Sequence, residues 1–216
     1  MDCKSILVAS RSCFRSLDDV TEKDLREMPM PAPLTMADGA PAPVTIATDT
    51  RIDFSESCLF AFYRGKFDTL RYAVGLPVEE GSGKSHQLWQ HSDVFELFVG
   101  PKARTSGAYK EFQVSPDNRF IDIDVNWALG AADIHWRSGM RCRSFIDHEK
   151  KLWTAVIAVP WNCFDADYRS DCEWNINLYR ATGSYHGDEL LAWSPTGYGE
   201  RAFHRYANFG RIVFEK

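Results

Sequence analysis

Three consecutive segments of this chain alternate in period two, and one of the two faces carries the polar side chains. Glu96 sits within 94–99, Tyr109, Glu111 and Gln113 precede Val114, and Asp122 follows a turn-forming Ser115-Pro116-Asp117-Asn118. Asn175, Asn177 and Tyr179 repeat the pattern in a fourth segment. Side chains two apart project from one face of a β-strand, so each set points one way. Near the segment ends stand Trp89, Arg180 and Trp193. Indoles mixed with amides, carboxylates and a guanidinium suit a neutral polyol. A pyranose presents a C–H face to an indole, while its hydroxyls both donate and accept. Amides and carboxylates meet those hydroxyls, and an arginine fork spans vicinal oxygens. The same pattern also fits the solvated face of an antiparallel sheet, with tryptophans closing the core ends. The residue pattern leaves the two readings level.

The positions between the polar ones are apolar. Phe95, Leu97 and Val99, then Phe112 and Val114, then Ile121, Ile123 and Val125 read as strands sharing one buried face, with Ile176 and Leu178 continuing it. Phe95, Leu97, Phe112, Val114, Ile121 and Ile123 are therefore the expected core of this sheet. Further strands are expected near 44–46, 59–63, 71–78, 140–146, 152–159, 190–196 and 209–214, with a short helical turn after Pro160. Roughly ten short strands separated by turns indicate an all-β fold, an antiparallel two-sheet β-sandwich of jelly-roll type, over residues 44–216. Residues 1–43 read as an N-terminal arm. A short helix is expected over 17–25, capped by Ser16 or Asp18, followed by a connector carrying prolines 29, 31, 33, 41 and 43. Removal of residues 1–40 is expected to leave the sandwich folded.

The gross composition narrows the function classes. The chain has 216 residues, a formal charge of −5 and no basic run, which argues against nucleic acid as a partner. No stretch approaches the length of a membrane span. The apolar run at 6–9 is too short for a signal-peptide core, which favours the cytoplasm. Six dispersed cysteines without a C-x-x-C pair support neither a zinc ribbon nor a disulfide scaffold, and reduced thiols are expected. There is no G-x-S-x-G, and Gly81-Ser82-Gly83-Lys84 is a flexible loop rather than a phosphate cradle.

The run Trp89-Gln90-His91-Ser92-Asp93-Val94-Phe95-Glu96-Leu97-Phe98, followed by Tyr109-Lys110-Glu111-Phe112-Gln113-Val114-Ser115-Pro116, resembles the family 9 carbohydrate-binding modules. Asn177-Leu178-Tyr179-Arg180, Ala192-Trp193-Ser194-Pro195-Thr196 and the closing Phe209-Gly210 extend the likeness in order across 44–216. That family belongs to a wider group of DOMON-like β-sandwiches, whose members bind sugars and often accompany glycoside hydrolases. The resemblance implies non-catalytic binding of a mono- or oligosaccharide in carbohydrate catabolism. By resemblance Trp89 and Trp193 clamp the sugar, with Glu96 and Arg180 as hydrogen-bonding partners. Together with the strand pattern this gives Trp89, Glu96, Glu111, Gln113, Asn177, Arg180 and Trp193 as ligand-contacting residues. The family often carries structural calcium, but no D-x-D-x-D-G loop is present, and Asp49 and Asp53, the candidate oxygen ligands, read as loop carboxylates.

Three alternatives remain. Glu96 and Glu111, facing the same way on neighbouring strands, could form a glycosidase pair. Haem binding by a DOMON-like domain would need Met140 and one of His86, His91, His135, His148, His186 or His204, without a spacing that pairs them. A protein-interaction domain would cover its Trp-rich ends with a partner.

Overall fold

The structure is a computed structural model and describes residues 5–101, 107–167, 169, 173–182, 189–199 and 202–215. Among these, fourteen strands form. They are β1 (Ile6–Arg11), β2 (Ala32–Pro33), β3 (Thr35–Met36), β4 (Thr48–Phe54), β5 (Cys58–Lys66), β6 (Val94–Pro101) and β7 (Ala108–Val114). The rest are β8 (Phe120–Asn126), β9 (Ala131–Asp133), β10 (Arg141–Asp147), β11 (Leu152–Pro160), β12 (Glu173–Ala181), β13 (Leu190–Ala192) and β14 (Gly210–Phe214). Among the described residues there are also two short helices, α1 (Glu22–Glu27) and α2 (Leu88–His91), and several single 3-10 turns.

One layer runs β14-β12-β6-β7-β8-β9 and the other β10-β11-β5-β4, with β1 between them in a continuous hydrogen-bonded path. Residues 6–9 of β1 pair with β14, and Ser10 and Arg11 pair with β4. Both pairings are parallel, so the sheet is mixed and not purely antiparallel as expected. The connecting role of β1 also corrects the reading of residues 1–43 as an arm. The helical segment is equally integral. Ser16 and Thr21 each close a capping box, on the 3-10 turn at Leu17–Asp19 and on α1 respectively. Leu17, Val20, Leu25 and Met30 then cover Phe60, Phe62, Val156 and Ala158 on the outer face of the second layer.

Between the layers lies the main core, built by strict alternation. Phe95, Leu97 and Val99, Phe112 and Val114, and Trp174, Ile176 and Leu178 meet Leu59, Ala61, Tyr63, Trp153, Ala155 and Ile157. Phe95 stacks on both Tyr63 and Trp153, with ring centroids 4.8 and 3.7 Å apart. The expectation fails at β8. Register pairs Ile121 with Gln113 and Ile123 with Glu111, so Ile121, Ile123 and Val125 lie on the outer face with the polar residues. Asp122, read as outward, instead turns inward and meets the buried ammonium of Lys84 at 2.7 Å. Both faces of this sheet are covered, so apolar side chains do not mark one side. Two further readings are corrected: 44–46 is a turn ahead of β4, and 71–78 holds no strand.

Candidate functional site

The outer face of the first layer carries the residues singled out by their chemistry. β6 lies between β12 and β7. Its Glu96 is directly opposite Gln113 on one side and Tyr179 on the other, and its Phe98 opposite Glu111 and Asn177. Glu96, Glu111, Gln113, Asn177, Tyr109 and Tyr179 thus share one face, as the alternation predicts. They are not solvated. Glu96 and Glu111 are each 3% exposed and Gln113 1%. The cover is a second apolar cluster, in which Phe98, Tyr109, Tyr179 and Phe209 are joined by half-buried Trp89, Trp127, Phe203 and Tyr206. Phe203 stacks on Tyr179 with centroids 4.0 Å apart.

Under this cover the polar groups form a chain. Trp127 Nε1 donates to the Tyr109 hydroxyl at 3.0 Å, and that hydroxyl lies 2.6 Å from His204 Nδ1. The tautomer of His204 sets which of the two donates in that contact. His204 Nδ1 is 3.9 Å from Glu111 Oε2, and Gln113 Nε2 donates to Glu111 Oε1 at 2.6 Å. Asn177 Nδ2 donates to the Tyr179 hydroxyl (2.8 Å) and to Ser194 O (2.7 Å), and the Tyr179 hydroxyl donates to Phe203 O (2.8 Å). Asn177 is thereby committed to the protein itself.

Two functions on this face stay open. Gln113 Oε1 is buried without a hydrogen-bond partner among the described residues. Among the described residues a hydrogen bond reaches Glu96 at its backbone oxygen, from the Tyr63 hydroxyl at 2.6 Å, and none reaches its carboxyl. Burial, followed by the repulsion of Glu111, pushes the Glu96 carboxyl well above the usual carboxylate range. Burial raises Glu111 to about 8, against the lowering effect of the Gln113 amide. Near neutral pH the pair therefore holds protons, and a protonated carboxyl donates as well as accepts.

Other expected site residues lie elsewhere. Arg180 shares the face of Ile176 and Leu178 and points between the layers. There it is fully buried, and its Nη1 donates to Ile46 O (3.0 Å), Thr48 Oγ1 (2.9 Å) and Lys66 O (2.6 Å). It is a core residue, not a partner of Glu96. Trp193 packs against the inter-layer core, its ring so close over β14 that a Cβ on Gly210 would fall within it. Trp89, on α2, packs against the outer cluster. The two indoles therefore belong to different apolar clusters rather than to one clamp.

Asp53 is bonded to Arg51 (2.8 Å) and Asp49 lies 4.0 Å from Arg64, and no group of three or more His, Cys, Asp or Glu able to hold a metal occurs among the described residues. Met140 is buried in the inter-layer core, His91 and His148 are exposed, and His186 lies outside the described residues. Cys13, Cys58, Cys142 and Cys163 are free thiols, and Cys3 and Cys172 lie outside the described residues. The sequence reading missed the aromatic cover. Its one signal was Phe203-His204-Arg205-Tyr206, three ring-bearing residues in four, close before the last strand.

No family model matches the sequence. An "Extracellular protein" of Arthroderma benhamiae is 26% identical over 141 residues, a match spanning 59% of this chain and 62% of that relative. A candidate carbohydrate-binding protein from Bacteroides uniformis superposes with a TM-score of 0.73 at 17% identity, covering 98% of this chain and all of that one. A family 9 carbohydrate-binding module from Caldicellulosiruptor kristjanssonii, solved with glucose, gives a TM-score of 0.63 at 9% identity over 98% and 96% of the two chains. The same organism's family 9 module with cellotriose gives 0.61 at 8% identity over 98% and 94%. The chain thus has a fold like that of the family 9 carbohydrate-binding modules.

Proposed function

We propose that this protein binds a neutral carbohydrate without cleaving it, at the end of the outer face where Glu96 and Gln113 oppose each other. The observation that carries this reading is that directly paired, buried couple. Gln113 Oε1 lacks a donor, and no described residue donates to the Glu96 carboxyl. A buried polar group without a partner costs on the order of 1–3 kcal/mol, so a ligand supplying the missing bond gains what the protein leaves unmet. A sugar hydroxyl fits both, donating to the amide oxygen and accepting from a protonated carboxyl. Half-buried Trp89 supplies the stacking surface, so one indole platform replaces the two-indole clamp. Entry requires the half-buried rings at the rim, Trp89 and Phe203, to part.

Catalysis is disfavoured by the same environment. Glycoside hydrolysis needs two carboxyls in contrasting states, one ionised and one protonated. Burial drives Glu96 and Glu111 in the same direction. In this reading the domain serves carbohydrate catabolism as a recognition unit, in the manner of modules that accompany hydrolases.

Calorimetric titration with glucose, cellobiose and xylobiose tests it. A disaccharide of about 23 heavy atoms at roughly −0.3 kcal/mol per atom should bind no tighter than about 10 μM. Trp89→Ala should weaken that binding by on the order of 2 kcal/mol, whereas Trp193→Ala should cost stability rather than direct ligand contact. Failure to bind any neutral sugar in a broad panel, or unchanged affinity in Trp89→Ala, would refute the proposal.

A further inference from the structure

Away from the sugar face, two loops bring His86 and His135 together. Their ring centroids are 5.1 Å apart and their planes meet at 61°. Among the described residues His86 Nδ1 is buried without a hydrogen-bond partner, whereas His135 is exposed. A buried orphan imidazole nitrogen is unusual enough to call for a ligand or a proton partner.

The backbones that carry the two rings are tied to each other. Lys84, two residues before His86, sends its buried ammonium to Asp122 O (2.9 Å), Asp122 Oδ1 (2.7 Å) and Trp136 O (2.6 Å). Trp136 follows His135 directly. Ser85 N donates to Phe120 O at 2.8 Å, anchoring the first loop on β8. Asp133 Oδ1 accepts from the backbone N–H groups of His135 (2.9 Å) and Trp136 (3.1 Å), anchoring the second. One buried lysine thus rivets the loops beside both histidines.

The spacing has a chemical meaning. Two imidazole nitrogens each about 2.0–2.1 Å from one tetrahedral Zn²⁺ place their ring centroids roughly 5 Å apart. We propose that His86 and His135 form a two-histidine site for a divalent first-row transition metal such as Zn²⁺ or Ni²⁺. Imidazole suits these ions, and Lys84 and Asp133 act as positioning residues for the loops. With no third His, Cys, Asp or Glu grouped with the pair among the described residues, water completes the coordination. With two protein ligands it is an exchangeable site rather than a closed structural zinc.

The test is calorimetric titration of the tag-free full chain with Zn²⁺, and separately with Ni²⁺. The wild type should show one saturable site. His86→Phe, which keeps the ring-on-ring packing, and His135→Ala, at an exposed position, should each weaken binding at least about tenfold. His148→Phe should not. The metal-free thermal midpoints of the variants should match the wild type, showing that the fold is intact. Absence of a saturable site in the wild type, or retention of affinity in both His86→Phe and His135→Ala, would overturn the assignment.

Discussion

Replacing Glu111 by Gln should remove a pH-dependent weakness of the fold. The Glu111 carboxyl is 3% exposed, and burial raises it from an ordinary 4.5 to about 8. Between those values the folded protein holds a proton that the unfolded chain has released. More protons are then bound in the native state, so stability falls as pH rises through this window and levels off above about 8. One proton corresponds to about 1.4 kcal/mol per pH unit. From pH 5.5 to 7.5 the loss from this group is therefore about 3 kcal/mol, or roughly 6–12 °C of melting temperature for a chain of this size. The glutamine is a neutral isostere. It keeps an oxygen for the amide of Gln113, bonded at 2.6 Å in the wild type, and cannot ionise. Thermal unfolding of wild type and Glu111→Gln across pH 5–8 isolates the effect, because the surface carboxylates are common to both. The variant should gain on the wild type as pH rises. Parallel curves, or a wild type that gains on the variant toward pH 7.5, would show that the carboxyl is not held neutral by burial.

Deleting residues 1–12 removes β1 and with it the parallel pairings to β14 and β4, so near-UV circular dichroism should show loss of the cooperative thermal transition; a truncated protein melting like the full chain would contradict the strand order. Lys84→Met leaves the Asp122 carboxylate buried without its ammonium, and urea unfolding should show a loss of about 3–5 kcal/mol. The double variant Lys84→Met/Asp122→Leu should recover part of that loss, and strict additivity of the two single changes would argue against the pair.

Some of this protein was legible from residue order alone. The alternation in β6, β7 and β12 correctly separated Phe95, Leu97, Phe112, Val114, Ile176 and Leu178 from Glu96, Glu111, Gln113 and Asn177, because side chains of period two cannot change face within a strand. The charge of Arg180 and the resemblance suggest a ligand role, whereas the structure buries it beside Ile176 and Leu178. The ordered motifs from Trp89 to Gly210 pointed to the fold found here. What alternation cannot supply is which face of a strand meets which layer. In β8 that choice rests on the turn after β7, where Asn118 adopts φ 60° and Ile121 is set opposite Gln113. Burial of Glu96 and Glu111 likewise depends on Phe203, Tyr206 and Phe209, about ninety residues or more further along the chain. The first strand is the clearest case. Its partners are β14, some two hundred residues away, and β4, and a segment's local pattern carries no record of hydrogen bonds made at that distance. Tertiary packing chose those partners, because the unpaired backbone edges of two layers at their junction need a strand between them.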